Sequence, residues 1–277
     1  MKNIANKFKN TGLVRDNLGM SDKSLLDQYY TKPEVAEYYS NFIKERFGDD
    51  CSYFEPSAGK GAFSSCFKNI TSIDIEPKFD GCIKGDFLSY TPDLRNKIVV
   101  GNPPFGFCSN LALKFINHAM RLEAEAICFI LPKTFKKPLF HNNINLNYSC
   151  SFQQDVINNA FILNEKEYNV PCVFQIWERK DISRTPILVD ETKYFNKVSK
   201  DCSKYAIRRV GANAGKVFIT DDQSESSNYF VDMTEDTCNK LKECYPYIKE
   251  IASWTAGVRS ITLKELAYIL DRRYIRD

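Results

Sequence analysis

The sequence predicts an α/β fold: a mostly parallel sheet with helices on both faces, an antiparallel closing hairpin, and a small C-terminal α+β region. Three observations lead there. Short apolar runs of strand length alternate with helix-spaced segments. The runs KIVVG and AICFIL are apolar throughout, as strands covered on both faces are. Two further apolar runs, residues 156–163 and 170–177, flank the polar stretch NEKEYN, which is the pattern of a hairpin.

Taken in order, residues 1–26 lack periodicity and are expected to form an N-terminal arm. Their polar, basic start has no apolar run, so it does not read as a secretory signal. Residues 33–47 carry Val35, Tyr38, Tyr39, Phe42, Ile43 and Phe47 at helical spacing, with Pro33 suited to the first turn and Gly48 to the end. Residues 52–55 read as a strand entering a glycine-rich turn, 62–68 as a helix, and 71–75 as a strand ending in acids. Residues 97–101 and 126–131 are the buried strands, with a helix over 111–122 between them. After Arg179 the polar stretch KDISRTP reads as a linker. Beyond it, strands are expected over 205–210, 216–220 and 229–233, and helices over 234–245 and 262–271.

Composition sets limits. With 277 residues, 43% of them hydrophobic, the chain can bury a sizeable core. No apolar stretch approaches the roughly 18–20 residues of a membrane span. A net charge of +3 permits nucleic-acid binding without demanding it. The ten cysteines are scattered singly with no CxxC pair, which suggests reduced thiols in a cytoplasmic protein rather than a zinc site or a disulfide framework. The two histidines are too few for a His-based centre, and no metal is expected.

Four segments at successive expected strand ends carry chemistry. In FEPSAGKGAF, Gly59 and Gly61 let the backbone turn sharply and approach a ligand, with Glu55 placed to meet a ligand amine. In SIDIEP, Asp74 stands 13 residues after Gly61, where an acid can accept from ribose hydroxyls. In GDFLSY, Asp86 can accept from an adenine amino group while Phe87 packs on the ring. In VVGNPPF, two prolines stiffen the loop beyond a buried strand and remove two backbone donors. That leaves the carbonyls of Asn102 and Pro103 as acceptors for the two N–H groups of a flat amine, with Phe105 to stack on it. Alone, each segment also reads as an ordinary turn or strand end; their order and spacing are what make them informative.

The pattern resembles the class I S-adenosylmethionine-dependent methyltransferases that modify N6 of adenine in DNA. The resemblance implies a Rossmann-like, mostly parallel seven-stranded sheet, with residues 27–180 as catalytic domain and 181–277 as a target-recognition region. It implies that Glu55, Pro56, Ser57, Ala58, Gly59 and Gly61 cradle the cofactor's methionine part. Asp74 and Ile75 would meet the ribose, Asp86 and Phe87 the adenine, and Asn102, Pro103, Pro104 and Phe105 would form the catalytic loop, Asn102 also bordering the cofactor. DQYYTKP is similar to the family's N-terminal cofactor motif, with Tyr30 and Thr31 at the methionine end, and its position ahead of the glycine-rich turn gives the gamma-like motif order. FILPKTF and VPCVFQIW match the family's later strands. An aromatic before the last hairpin stacks on the flipped base in that family, so Phe161, then Tyr168, is expected here.

Arg208, Arg209 and Lys216 are expected to contact phosphate or base edges. The expected partner is nucleic acid, DNA first and RNA second, with no membrane. Two other functions fit the same loop: methylation of a protein glutamine amide, and a non-catalytic binding subunit.

Overall fold

The computed structural model describes residues 29–220 and 222–275. The expected arm, residues 1–26, lies outside them, as does the start of the DQYYTKP motif. Seven strands form the main sheet: β2 (Ser52–Glu55), β3 (Ile70–Asp74), β4 (Ile83–Lys84), β5 (Lys97–Gly101), β6 (Ala126–Pro132), β7 (Tyr148–Asp155) and β10 (Cys172–Arg179), in the spatial order β4-β3-β2-β5-β6-β10-β7. The pairs among β4, β3, β2, β5 and β6 are parallel, whereas β10 runs antiparallel to both β6 and β7. Only β10 is therefore reversed.

Side chains on the two faces of β10 meet different cover. Phe174 stacks on Tyr39 of helix α1 (Pro33–Phe47) at 4.2 Å. On the opposite face the Gln175 amide donates to the Phe135 carbonyl, and the Trp177 ring meets His141 edge-on at 4.9 Å. Helix α1 buries Val35, Ala36, Tyr39 and Ile43, and helix α2 (Asn110–Arg121) buries Ala112, Phe115, Ile116 and Ala119. Strand β6 is buried at all seven positions, in keeping with its unbroken apolar run.

Two local expectations are corrected. Residues 62–68 form turns and a 3₁₀ segment, Ser64–Cys66, not an α-helix. The connection to β3 leaves too few residues to offset the cost of helix nucleation, and the Ser64 hydroxyl is drawn inward to Glu55 and Ser72. The closing pair is β7 with β10, not 156–163 with 170–177. Strand β7 lies at the sheet edge with the polar sequence YSCSFQQD, so its hydrophobic signal is weak. The intervening residues instead form a short hairpin, β8 (Phe161–Leu163) with β9 (Lys166–Tyr168), which leaves the sheet and pairs through β8 with β1 (Tyr30–Thr31).

Beyond the linker, β11 (Asn196–Lys197), β12 (Tyr205–Arg208), β13 (Val217–Ile219) and β14 (Asn228–Asp232) form an antiparallel sheet in the order β11-β14-β12-β13. Helices α3 (Glu235–Glu243), α4 (Tyr245–Ala252) and α5 (Leu263–Tyr274) share a second hydrophobic core with it, including Ile207, Leu241, Ile248 and Leu266. The expected helix over 234–245 ends earlier because Pro246 opens a new helix. Helix α5 starts on a capping box between Thr262 and Glu265.

This second region docks beside the carboxyl end of β6. Buried Lys137 places Nζ 3.0 Å from Glu265 Oε1 and donates to the Ser260 carbonyl at 2.9 Å. Lys136 lies 4.9 Å over the Trp254 ring and pairs with Asp155 at 2.8 Å.

Candidate active site

The parallel strands β2, β3 and β5 deliver their carboxyl ends to one side of the sheet, where α/β folds place ligands. A cavity open to solvent lies there. Of the expected cofactor residues, Tyr30, Thr31, Glu55, Pro56, Ser57, Ala58, Gly59, Asp74, Ile75, Phe87 and Asn102 line it, joined by Pro104. Five segments distant in sequence therefore share one cavity.

Gly59 sits at φ +52°, and an added Cβ would stand 3.1 Å from the Tyr30 ring. The turn is held by Asp74, whose Oδ2 accepts from the Gly59 N–H and Oδ1 from the Glu76 N–H, each at 2.8 Å. Asp74 thus fastens the glycine-rich turn to β3 and retains lone pairs for further donors. Gly61 lies outside the lining, and its turn is closed by a hydrogen bond to the Ala58 carbonyl at 2.8 Å. Asp86 is exposed and also lies outside the lining; it caps the next turn through Leu88 N–H and Ser89 Oγ.

Glu55 is 2% exposed and accepts from Ser64 Oγ, which also bonds Ser72 Oγ at 2.7 Å. Burial pushes its carboxyl up to about 8, against the Ser64 hydrogen bond, with the nearby Asp74 adding to the rise. The carboxyl fits because Gly101 has no side chain: at φ +134°, an added Cβ would stand 3.3 Å from Glu55 Cγ.

The loop beyond Gly101 places Asn102 against the start of the described chain. Its Nδ2 donates to the Tyr29 carbonyl at 3.0 Å. Only the amino end of the amide can donate to a carbonyl, which fixes the opposite end as Oδ1. Oδ1 is buried and has no hydrogen-bond partner. The main-chain carbonyl of Asn102 is not the free acceptor expected, since Ser57 Oγ donates to it at 3.2 Å. Among the described residues the Pro103 carbonyl takes no hydrogen bond. Phe105 is 7% exposed and meets Phe161 edge-on at 6.3 Å, while Tyr168 is 38% exposed on the adjoining hairpin.

The basic residues of the second region are engaged within it. Arg208 bonds Ser227, Arg209 donates to the Ser226 carbonyl at 2.7 Å, and Lys216 lies 5.3 Å over the Phe218 ring. Their strand end is tied by the Val210–Ser260 bridge to the segment that receives Lys137.

Four participants, Ser64, Phe63, Phe115 and Tyr29, were not apparent from the sequence. Ser64 holds Glu55 through a turn too short to foresee. Phe63, at the end of the glycine-rich segment, and Phe115, on helix α2, supply apolar wall. Tyr29, beside the motif residues Tyr30 and Thr31, also lines the cavity, and the repeated tyrosine was the signal available.

The seven strands in this order, with one reversed beside the edge, make the class I methyltransferase fold. No protein-family model and no curated protein sequence matches the chain. Among solved structures, a proposed RNA methyltransferase from Pyrococcus horikoshii is similar, with 16% identity and a TM-score of 0.47 over 58% of this chain and 90% of that one. The 1,6-didemethyltoxoflavin-N1-methyltransferase of Burkholderia thailandensis, solved with S-adenosylhomocysteine, gives 8% identity and a TM-score of 0.40 over 54% of this chain and 80% of that one. A modification subunit of a proposed type I restriction enzyme from Vibrio vulnificus gives 12% and 0.41, over 84% of this chain and 55% of that one. The fold assignment rests on the strand order, not on these likenesses. Among the described residues no helix is long and apolar enough to cross a membrane.

Proposed function

We propose that the chain transfers a methyl group from S-adenosylmethionine to the exocyclic N6 amine of adenine, with DNA as the first substrate class. The observation that carries this is Asn102 Oδ1, a sealed acceptor without a donor at the edge of the cavity. Leaving such a group unsatisfied costs about 1–3 kcal/mol, and a substrate N–H removes that cost. Asn102 Oδ1 and the Pro103 carbonyl are two acceptors for the two N–H groups of an sp² amine. Gripped this way, the nitrogen lone pair is drawn out of conjugation with the ring and becomes available for attack.

The lining residues fit the cofactor. The glycine-rich turn and Thr31 suit its methionine part, buried Glu55 its ammonium, Asp74 and Ile75 its ribose, and Phe63, Phe87 and Phe115 its adenine. When bound, S-adenosylmethionine supplies a sulfonium methyl: the N–CH₃ bond forms as the S–CH₃ bond breaks, the electron pair stays on sulfur, and the amine then releases one proton to solvent. The protein supplies position and preformed dipoles rather than a general base. A base within a duplex has to leave the stack to reach this loop, and the exposed Tyr168 ring offers aromatic surface for it, with Phe105 and the fully buried Phe161 as the stacking partners that a rearrangement at the loop uncovers. The described part of the second region packs through Trp254, Ser260 and Glu265 against Lys136 and Lys137, just beyond the end of β6, which supports a role in holding the polymer, with Arg208, Arg209 and Lys216 as contacts to phosphate.

The test is transfer of labelled methyl to duplex DNA, RNA and glutamine-containing protein in parallel. N6-methyladenine in DNA is the expected product. Label confined to RNA or to glutamine amide would move the substrate class, and cofactor binding without transfer to any of the three would leave a non-catalytic binding subunit.

A further inference from the structure

The three aromatic side chains assigned to the target ring have one neighbour in common. Tyr29 lies near-parallel to Tyr168, with centroids 5.3 Å apart at 23°, and to Phe105, at 6.4 Å and 28°. It meets Phe161 edge-on at 6.4 Å and 63°. These are the separations at which aromatic rings attract one another. The same residue's main-chain carbonyl takes the Nδ2–H of Asn102, while Oδ1 of that amide stays sealed and without a donor. A flat ring of the protein's own thus fills the aromatic site, and it satisfies one end of the Asn102 amide but not the other.

We propose that Tyr29 holds the place of the target base and acts as a gate that must be displaced when substrate enters, so that only a ring that also satisfies Asn102 gains by the exchange. This role rests on the amine-methylation reading above. It follows from a comparison of what each ring supplies. A flat ring without an amino group replaces stacking that Tyr29 already provides and gains little. A ring bearing NH₂ replaces that stacking and adds the donor that Oδ1 lacks, so the exchange favours aminated bases. Tyr29 stands one residue ahead of β1, whose pairs are Tyr30 with Ile162 and Thr31 with Phe161, so swinging its ring out leaves those pairs in place.

The experiment measures binding of adenosine and of purine riboside, which lacks the amino group, to protein saturated with S-adenosylhomocysteine. Wild type, Tyr29→Ala and Tyr29→Phe are compared. With the competing ring removed, Tyr29→Ala is expected to bind adenosine and purine riboside each about tenfold more tightly than wild type, with their ratio, which Asn102 sets, unchanged. Tyr29→Phe, which keeps the ring, should hold wild-type adenosine affinity within about twofold. A wild-type far-ultraviolet circular dichroism spectrum reports that the variants are folded. Equal or weaker adenosine binding by Tyr29→Ala overturns the gate. If wild type nevertheless methylates adenine, the gate alone has failed. If no variant binds adenosine in preference to purine riboside and none transfers methyl, the underlying reading has failed with it.

Discussion

The carboxylate of Asp74 receives the Gly59 N–H at 2.8 Å, so the acid at the end of β3 shapes the glycine-rich turn at the end of β2. Charge-assisted hydrogen bonds of this kind contribute about 1.5–3 kcal/mol. Asp74→Ala is therefore expected to weaken S-adenosylhomocysteine binding at least about tenfold, measured by titration calorimetry. Asp74→Asn keeps one acceptor and should fall between alanine and wild type. Wild-type affinity in Asp74→Ala would remove Asp74 from the cofactor site.

Glu55 gives a pH dependence. Its folded-state carboxyl titrates near 8 because of burial, against an ordinary 4.5. The folded, ligand-free protein binds that proton more tightly than the unfolded chain, so its stability should decline as pH rises from 4.5 towards 8. A cationic ligand in the cavity favours the carboxylate. S-adenosylmethionine affinity should accordingly rise over the same window, level off above it, and be accompanied by proton release, seen as calorimetric heats that vary with buffer ionisation enthalpy. Glu55→Gln should flatten both profiles. A wild-type profile that is already flat would contradict the assignment.

Lys137 and Glu265 make a buried ion pair at the junction of the two cores, with side chains 7% and 11% exposed. Removing one partner of such a pair leaves an uncompensated charge and costs about 3–5 kcal/mol. Lys137→Met should lower stability by that order in urea denaturation. Adding Glu265→Gln neutralises the stranded acid while keeping an acceptor for the Thr262 cap, and should recover most of the loss. A double variant no more stable than Lys137→Met would show that the charge is not the cause.

The sheet was legible because β5 and β6 are apolar without interruption and because the β2 and β5 ends carry glycine and proline signals that few other local structures require. Strand β7 was not legible. Its edge position leaves Ser149, Gln153 and Gln154 compatible with solvent, and the pattern resembles a loop. The candidate site was legible at Gly59, Asp74 and Asn102, where residue type and strand end coincide. It was not legible at Asp86, whose turn directs the carboxylate to its own backbone, nor at Ser64 and Tyr29, whose roles depend on contacts across 9 and 73 residues of chain. Hydrogen-bond partners separated by such intervals leave no periodic trace.

The most direct test of the central claim is the methyl-transfer rate of Asn102→Ala on adenine-containing DNA, read beside its S-adenosylhomocysteine affinity. Loss of a preorganised group that acts on the reacting atoms is expected to cut transfer by about 10²–10³-fold, with cofactor affinity held within about threefold. Transfer at near wild-type rate by a variant that binds cofactor normally would contradict it.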